Sequence, residues 1–109
     1  MRIAMIGTGW IAPQHLDALA QVSGVEIVAV AGRDRAKAEA IATPRKAAAY
    51  GDWEAMLARE KPDAAYVCLA PAIADTVARA CAGRVRGVLV EKPVAADIGE
   101  AERTLAAFT

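Results

Sequence analysis

Four short stretches carry the residues that could do chemistry. The first is Gly7-Thr8-Gly9-Trp10-Ile11-Ala12, which directly follows the apolar run Ile3–Ile6. Its small residues have separate uses. Gly7 suits a tight turn out of a strand, Gly9 lets a charged group approach the backbone, and Ala12 lets a following helix pack close to a sheet. A helix that starts here offers free N–H groups and the positive end of its dipole, which suits a pyrophosphate. The spacing G-x-G-x-x-A, set between a strand and a helix, is the fingerprint of dinucleotide binding. The same glycines would also serve an ordinary strand-to-helix turn, and the order of the elements favours the cofactor.

The second stretch is Ala31-Gly32-Arg33-Asp34-Arg35. A site that prefers NAD places a carboxylate at the end of the second strand, on the ribose 2′-OH. Gly32 holds that place here and Arg33 follows. A guanidinium forks onto a 2′-phosphate and stacks on adenine. This points to NADP, with NAD retained as the alternative because Asp34 would reach the ribose after a small backbone shift. Arg33 as a solvated loop residue is the plain alternative. The third stretch, Leu69-Ala70-Pro71, places a stiffening proline where the nicotinamide half of a cofactor would lie. The fourth is Glu91-Lys92-Pro93. A lysine fixed between a carboxylate and a proline at a strand's carboxyl end is placed to handle a proton or a substrate hydroxyl. Taken alone, Lys92 is better read as a surface lysine. The Lys92–Pro93 bond is a candidate for the cis form.

These stretches need strands and helices to bring them together, and the pattern alternates the two throughout. Strands are expected at Arg2–Ile6, Val25–Val30, Ala47–Tyr50, Ala64–Leu69 and Val85–Val90. Helices are expected at Pro13–Val22, with Leu16 and Leu19 inward, and at Arg35–Ala42. Asp52 reads as the N-cap of a helix with Trp53, Met56 and Leu57 inward. Ile73, Val77 and Cys81 mark the next helix, and Asp97 caps a last one with Ile98, Ala101, Leu105 and Phe108 on one face. Alternation of this kind means a parallel sheet joined by right-handed crossovers. The expected fold is therefore a Rossmann-type three-layer α/β sandwich, doubly wound, with five or more strands. The ends of the strands are where its ligand binds.

Composition bounds the rest. The chain has 109 residues, enough for one domain and one core. Its formal net charge is zero, with no basic face, so nucleic acid is not an expected partner. No apolar run reaches the roughly 18 residues of a membrane helix. The glycines and tryptophan of the first segment do not suit a secretory signal, and Cys68 and Cys81 read as buried reduced thiols, so a cytoplasmic location is expected. With no CxxC spacing and one histidine, no metal is expected.

Three motifs give the chain a resemblance. They are Gly7-x-Gly9-x-x-Ala12-x-x-His15-x-x-Ala18-Leu19, Pro62-Asp63-Ala64, and Val88-Leu89-Val90-Glu91-Lys92-Pro93. From Arg2 to about Leu105 the chain resembles the N-terminal domain of the Gfo/Idh/MocA oxidoreductases, the glucose–fructose oxidoreductase and inositol dehydrogenase family. The resemblance implies that Gly7, Thr8, Gly9, Trp10 and Ile11 cradle a pyrophosphate and that Arg33 meets the adenosine ribose phosphate. It implies that Leu69, Ala70 and Pro71 line the nicotinamide ribose region. Glu91 would contact the cofactor side, and Lys92 would touch substrate and nicotinamide ribose as the catalytic residue. His15 would be a structural neighbour of the cofactor loop. Hydride transfer to or from a sugar, cyclitol or related alcohol is the implied activity. A second, substrate-binding domain, through whose open sheet the family pairs, is not among these residues, so the isolated chain is expected to be inactive.

The chain departs from the family at two places. Counting back from Glu91, the usual Pro-Pro-x-x-His falls on Ala70-Pro71-Ala72-Ile73-Ala74, and the usual Gly-Lys-His reads Val85-Arg86-Gly87. A non-catalytic nucleotide sensor of the same superfamily remains an alternative on that ground. A Rossmann domain for another ligand, such as S-adenosylmethionine, is disfavoured by Glu91-Lys92-Pro93.

Overall fold

The first strand, β1 (Arg2–Ile6), runs up the middle of the molecule and is buried from Ile3 onward. The computed structural model describes residues 1–109. β2 (Glu26–Ala31) and β3 (Ala48–Tyr50) pair in turn on one side of β1, and β4 (Ala64–Val67) and β5 (Gly87–Val90) on the other. The order is β3-β2-β1-β4-β5, and every pairing is parallel. The chain therefore reverses its direction of travel across the sheet between β1 and β4. That reversal opens a crevice above their carboxyl ends, the switch point where such sheets bind ligands.

Helices cover both faces. α1 (Ala12–Ala20) and α2 (Arg35–Ala42) lie on one, α3 (Trp53–Glu60) and α4 (Pro71–Cys81) on the other. Side chains of one strand alternate between the two cores. Met5, Val30, Tyr66 and Cys68 pack with Leu16 and Ile41 on the α1–α2 side. Ala4, Ile6, Ala65 and Val67 pack with Met56, Leu57 and Val77 on the α3–α4 side. An irregularity between Ile3 and Ala4 lets β2 carry one extra residue, so Val28 and Ala29 both join the α3–α4 core. Beyond it the alternation resumes, and Val30 and Ala31 fall on opposite faces in step with β1. The many alanines let helix and sheet approach closely. The larger side chains Met5, Leu16 and Met56 are fully buried, each contributing roughly 1.5–3 kcal/mol.

Asp63 of the Pro62-Asp63-Ala64 motif has a structural use. Its carboxylate accepts from the Arg2 N–H at 2.8 Å, its own N–H donates to the Arg2 carbonyl, and its carbonyl accepts from Arg86 N–H. One residue thereby ties together the starts of β1, β4 and β5.

Several expected boundaries shift. The first helix runs Ala12–Ala20 instead of Pro13–Val22, and β2 is displaced by one residue to Glu26–Ala31. β3 begins at Ala48. β4 ends at Val67, where the chain turns toward α4, and β5 begins only at Gly87, because Cys81–Arg86 closes a tight turn with a bridge between Ala82 and Val85. Of the residues expected inward on α3, Met56 and Leu57 are buried and Trp53 is half-buried. The larger difference is α5 (Ile98–Ala107): Ile98 and Leu105 are 77% and 67% exposed, and Phe108 is exposed with them. The helix docks on α4 through a polar contact instead. Nη1 of Arg79 reaches Glu100 Oε2 at 3.1 Å and Thr104 Oγ1 at 3.1 Å, and it pairs with the buried Asp75 at 3.4 Å. The hydrogen bond with Glu100, together with the Arg79 charge, holds the Asp75 carboxyl below its ordinary range.

Candidate cofactor site

The turn after β1 is fixed by its glycine. Gly7 has φ 121°, and its N–H donates to the Ala31 carbonyl at 2.8 Å. A Cβ on Gly7 would run into the Cys68 carbonyl oxygen, so the turn lies directly against the end of β4. Gly9 is the opposite case: nothing lies within 4 Å of where its Cβ would be. That space is open for a ligand to approach the backbone.

α1 then starts without help. Its N-cap residue, Ile11, makes no side-chain bond, and no acidic residue lies in its first turn. No backbone hydrogen bond within the protein uses the N–H groups of Gly9, Trp10 or Ile11. α2, α3 and α5 are each capped by an aspartate: Asp34, Asp52 and Asp97. A side-chain cap contributes about 1 kcal/mol; α1 and α4 both form without one. The free N–H groups at the start of α1 suit an anion.

A cavity of about 420 Å³ opens there. Ile6, Gly7, Thr8 and Gly9 form its floor, and Ala31, Gly32, Arg33 and Asp34 one wall. Gly51 and Trp53 flank that wall, and Cys68, Leu69, Ala70, Ile73 and Val77 form the other. Gly32 makes room for a neighbour that the sequence did not show. A Cβ there would meet Thr8 Cγ2 at 2.5 Å, so the β2 turn packs on the glycine turn itself. Asp34, weighed as a ribose ligand, has its Oδ1 engaged by the N–H groups of Ala36 (3.0 Å) and Lys37 (3.3 Å). Lys37 also lines the cavity and places a second cation beside Arg33. Sequence reasoning missed it, although its spacing of four residues from Arg33 at a helix start is a usable signal. It also missed Trp53, Ile73 and Val77 as wall residues; Ile73 is 44% exposed and lines the cavity.

The remaining expected site residues lie outside the cavity wall. Trp10 is 81% exposed, Ile11 packs against the α1–α2 core, and Pro71 is the first residue of α4. Glu91, Lys92 and Pro93 form the turn after β5, and the Lys92–Pro93 bond is cis. Lys92 is exposed. Glu91 Oε2 lies 2.5 Å from His15 Nε2. His15, Cys68 and Glu91 offer three potential metal-ligand atoms, all within 4.8 Å of one another. One observation opposes a metal. Ligand atoms around a tetrahedral zinc stand about 3.3 Å apart, whereas the His15–Glu91 pair is in direct hydrogen-bond contact. Burial and the Glu91 charge push the Cys68 thiol up. Burial, with the Glu91 charge, likewise raises the Tyr66 hydroxyl.

A parallel sheet in this order, a glycine turn at its switch point and an open cavity over a helix N-terminus define a dinucleotide-binding type of Rossmann domain. The whole chain, residues 1–109, matches the family model described as the oxidoreductase family, NAD-binding Rossmann fold, and it belongs to that Gfo/Idh/MocA family. It is 37% identical over 109 residues to a D-xylose 1-dehydrogenase (NADP+) from Haloferax volcanii, across 99% of this chain and 33% of the relative. It is 35% identical over 106 residues to a 4-carboxy-2-hydroxymuconate-6-semialdehyde dehydrogenase from Sphingobium, across 96% and 34%. Against a scyllo-inositol 2-dehydrogenase (NADP+) from Bacillus subtilis the identity is 32% over 108 residues, across 98% and 33%. The chain thus spans about a third of the length of these relatives.

Solved structures agree on the fold. A 3-ketoreductase from Actinomadura kijaniata, in complex with NADP and TDP-benzene, superposes with a TM-score of 0.91 at 28% identity, over 99% of this chain and 34% of that one. The WlbA dehydrogenase from Bordetella pertussis, in complex with NADH and UDP-GlcNAcA, gives 0.92 at 25% identity, over 99% and 34%. Cofactors in this family are thus NADP or NAD.

Proposed function

We propose that this chain is the cofactor half of an NADP-preferring dehydrogenase acting on a sugar, a cyclitol or a related alcohol or carbonyl. The observation that carries the cofactor reading is the unpartnered N-terminus of α1 above Gly9, in a cavity whose rim holds Arg33 and Lys37. Gly9, Trp10 and Ile11 supply backbone donors to a pyrophosphate, with Gly7 and Thr8 shaping the turn beneath them. The preference for a 2′-phosphate follows from what surrounds it. Gly32 stands where a ribose-binding carboxylate would, Asp34 caps α2 through its Oδ1, and two cations share the cavity with it. The dehydrogenases with NADP in their names among the relatives support this.

Leu69 and Ala70 wall the nicotinamide end, Pro71 starts α4 directly after them, and Pro93 shapes the neighbouring turn. The nicotinamide, when bound, supplies hydride transfer. Lys92 holds or moves the proton of the substrate hydroxyl at its amine. Glu91 fixes the turn that carries it. Hydride transfer also needs a second surface to orient the substrate and exclude water. On this reading the chain by itself binds the cofactor without turnover. Titration of the chain with NADPH and NADH tests the reading. Tighter binding of NADPH, lost in Arg33→Ala, is expected; equal affinity for the two removes the NADP preference, and no binding of either removes the cofactor role.

A further inference from the structure

Glu91 is held from three directions. Its N–H donates to the Val67 carbonyl at 2.9 Å, which ties it to the end of β4. Its Oε2 is 2.5 Å from Nε2 of His15 on α1, and its Oε1 accepts from the Lys92 N–H at 3.2 Å. His15 is itself placed firmly. Its ring centroid lies 4.8 Å from that of Tyr66, and its N–H donates to the Ile11 carbonyl at 3.2 Å. The first turn of α1 therefore does two things. Its leading edge carries the free N–H groups over the cavity, and one turn on it carries the histidine that grips the β5 turn. His15 does not line the cavity. It reaches the site only through Glu91, whose carboxylate bridges it to the backbone of Lys92.

We propose that His15 is a positioning residue, which acts through Glu91 to set the backbone at Lys92 and so the placement of the Lys92 amine at the nicotinamide end of the site. This rests on the proposed function, which puts Lys92 at that end. His15 donates through Nε2 to a carboxylate, a bond worth more than a neutral one. Two substitutions separate its donor from its ring. His15→Phe keeps the packing on Tyr66 and removes the donor, whereas His15→Gln keeps a donor near the Nε2 position.

The experiment measures, for the wild-type chain and both variants, the affinity for NADPH and for adenosine 2′,5′-bisphosphate, which lacks the nicotinamide half, together with the Lys92 amide resonance. His15→Phe is expected to weaken NADPH about tenfold and leave the bisphosphate within about twofold, with the Lys92 amide displaced, and His15→Gln to recover both. Equal loss of both ligands in His15→Phe, unchanged NADPH binding, or no recovery in a folded His15→Gln overturns the proposal. Wild-type chain that binds neither ligand would remove the cofactor reading, and the amide resonance then decides alone. A displacement in His15→Phe that His15→Gln reverses upholds the positioning role, and an unmoved resonance overturns it.

Discussion

On the β1–β2 side of the crevice, the strands are buried from Ile3 to Ile6 and from Val28 to Ala31, and the glycine turns above them pack on one another. On the β4–β5 side, β5 has no fully buried residue, Leu89 is 56% exposed, and the turn at Lys92 and Pro93 stands in solvent. The first side has its binding groups locked by backbone geometry. The second holds Lys92 through one carboxylate and leaves apolar surface on Leu89, Ile98 and Leu105 open. In the proposed function, a phosphate grip works by fixed donors, which the first side supplies, whereas chemistry at a nicotinamide needs a closed surface, which the second side does not present.

The largest effect is expected from Gly7→Ala. The new Cβ would meet the Cys68 carbonyl, and an L-residue at φ 121° is strained. A loss of roughly 3 kcal/mol or more in stability is expected, with nucleotide binding abolished. Gly9→Ala provides the contrast, because its Cβ enters open space. Chemical denaturation should find Gly9→Ala near wild-type stability, while titration finds its NADPH affinity sharply reduced. Equal stability of the two variants would break the claim that the first turn is locked by Gly7.

Next comes Arg33→Ala, which should weaken NADPH about 30-fold and NADH by threefold or less, since a charge-assisted bond to phosphate is worth about 2 kcal/mol. Lys37→Ala should act in the same direction and about tenfold, because it shares that rim. Calorimetric titration of both nucleotides checks each. A parallel loss of NADH affinity would mean that these cations stack on or frame the cavity without reading the 2′-phosphate.

Much of this comparison was legible in the sequence, and the reasons differ by place. The glycine turn could be read because φ 121° and a close backbone contact leave only glycine acceptable at Gly7. Alternating strand and helix patterns placed all five strands of the doubly wound sheet. The room that Gly32 makes was hidden, since its contact with Thr8 joins turns far apart in the chain. The use of Asp34 as a cap was hidden by its nearness to the ribose position. The outward apolar face of α5 reversed the usual inference from periodicity. An amphipathic stripe says that a surface will be covered, and here the contact that docks the helix is the Arg79–Glu100–Thr104 cluster instead.

Alkaline pH gives a smaller, graded effect on the nicotinamide side. Burial, then the Glu91 charge, raises Tyr66 and Cys68, and burial raises Cys81. In the unfolded chain these groups release protons in their ordinary range, while the folded chain still holds them. The native state then binds more protons than the unfolded one, so stability falls as pH rises beyond the ordinary thiol range and is fully present below it. Urea unfolding at successive pH values should show this slope, and Tyr66→Phe should flatten it. A slope that Tyr66→Phe leaves unchanged would assign the effect to the thiols of Cys68 and Cys81.

A small stability effect is expected at Leu89→Ser. Leu89 points to the face of β5 that neither α1 nor α2 covers, and more than half of it is already in water. Surface substitutions of this kind stay within about 0.5 kcal/mol. Removing the side chain takes apolar area from an exposed patch, so solubility should rise as stability stays put. The same change at a residue such as Val30, fully buried in the α1–α2 core, removes close contacts and buries an unpartnered hydroxyl. Val30→Ser should therefore cost several times more in the same urea titration. If Leu89→Ser cost as much as Val30→Ser, the β5 face would already be sealed within this chain, and the contrast between a finished phosphate side and an open nicotinamide side would be lost.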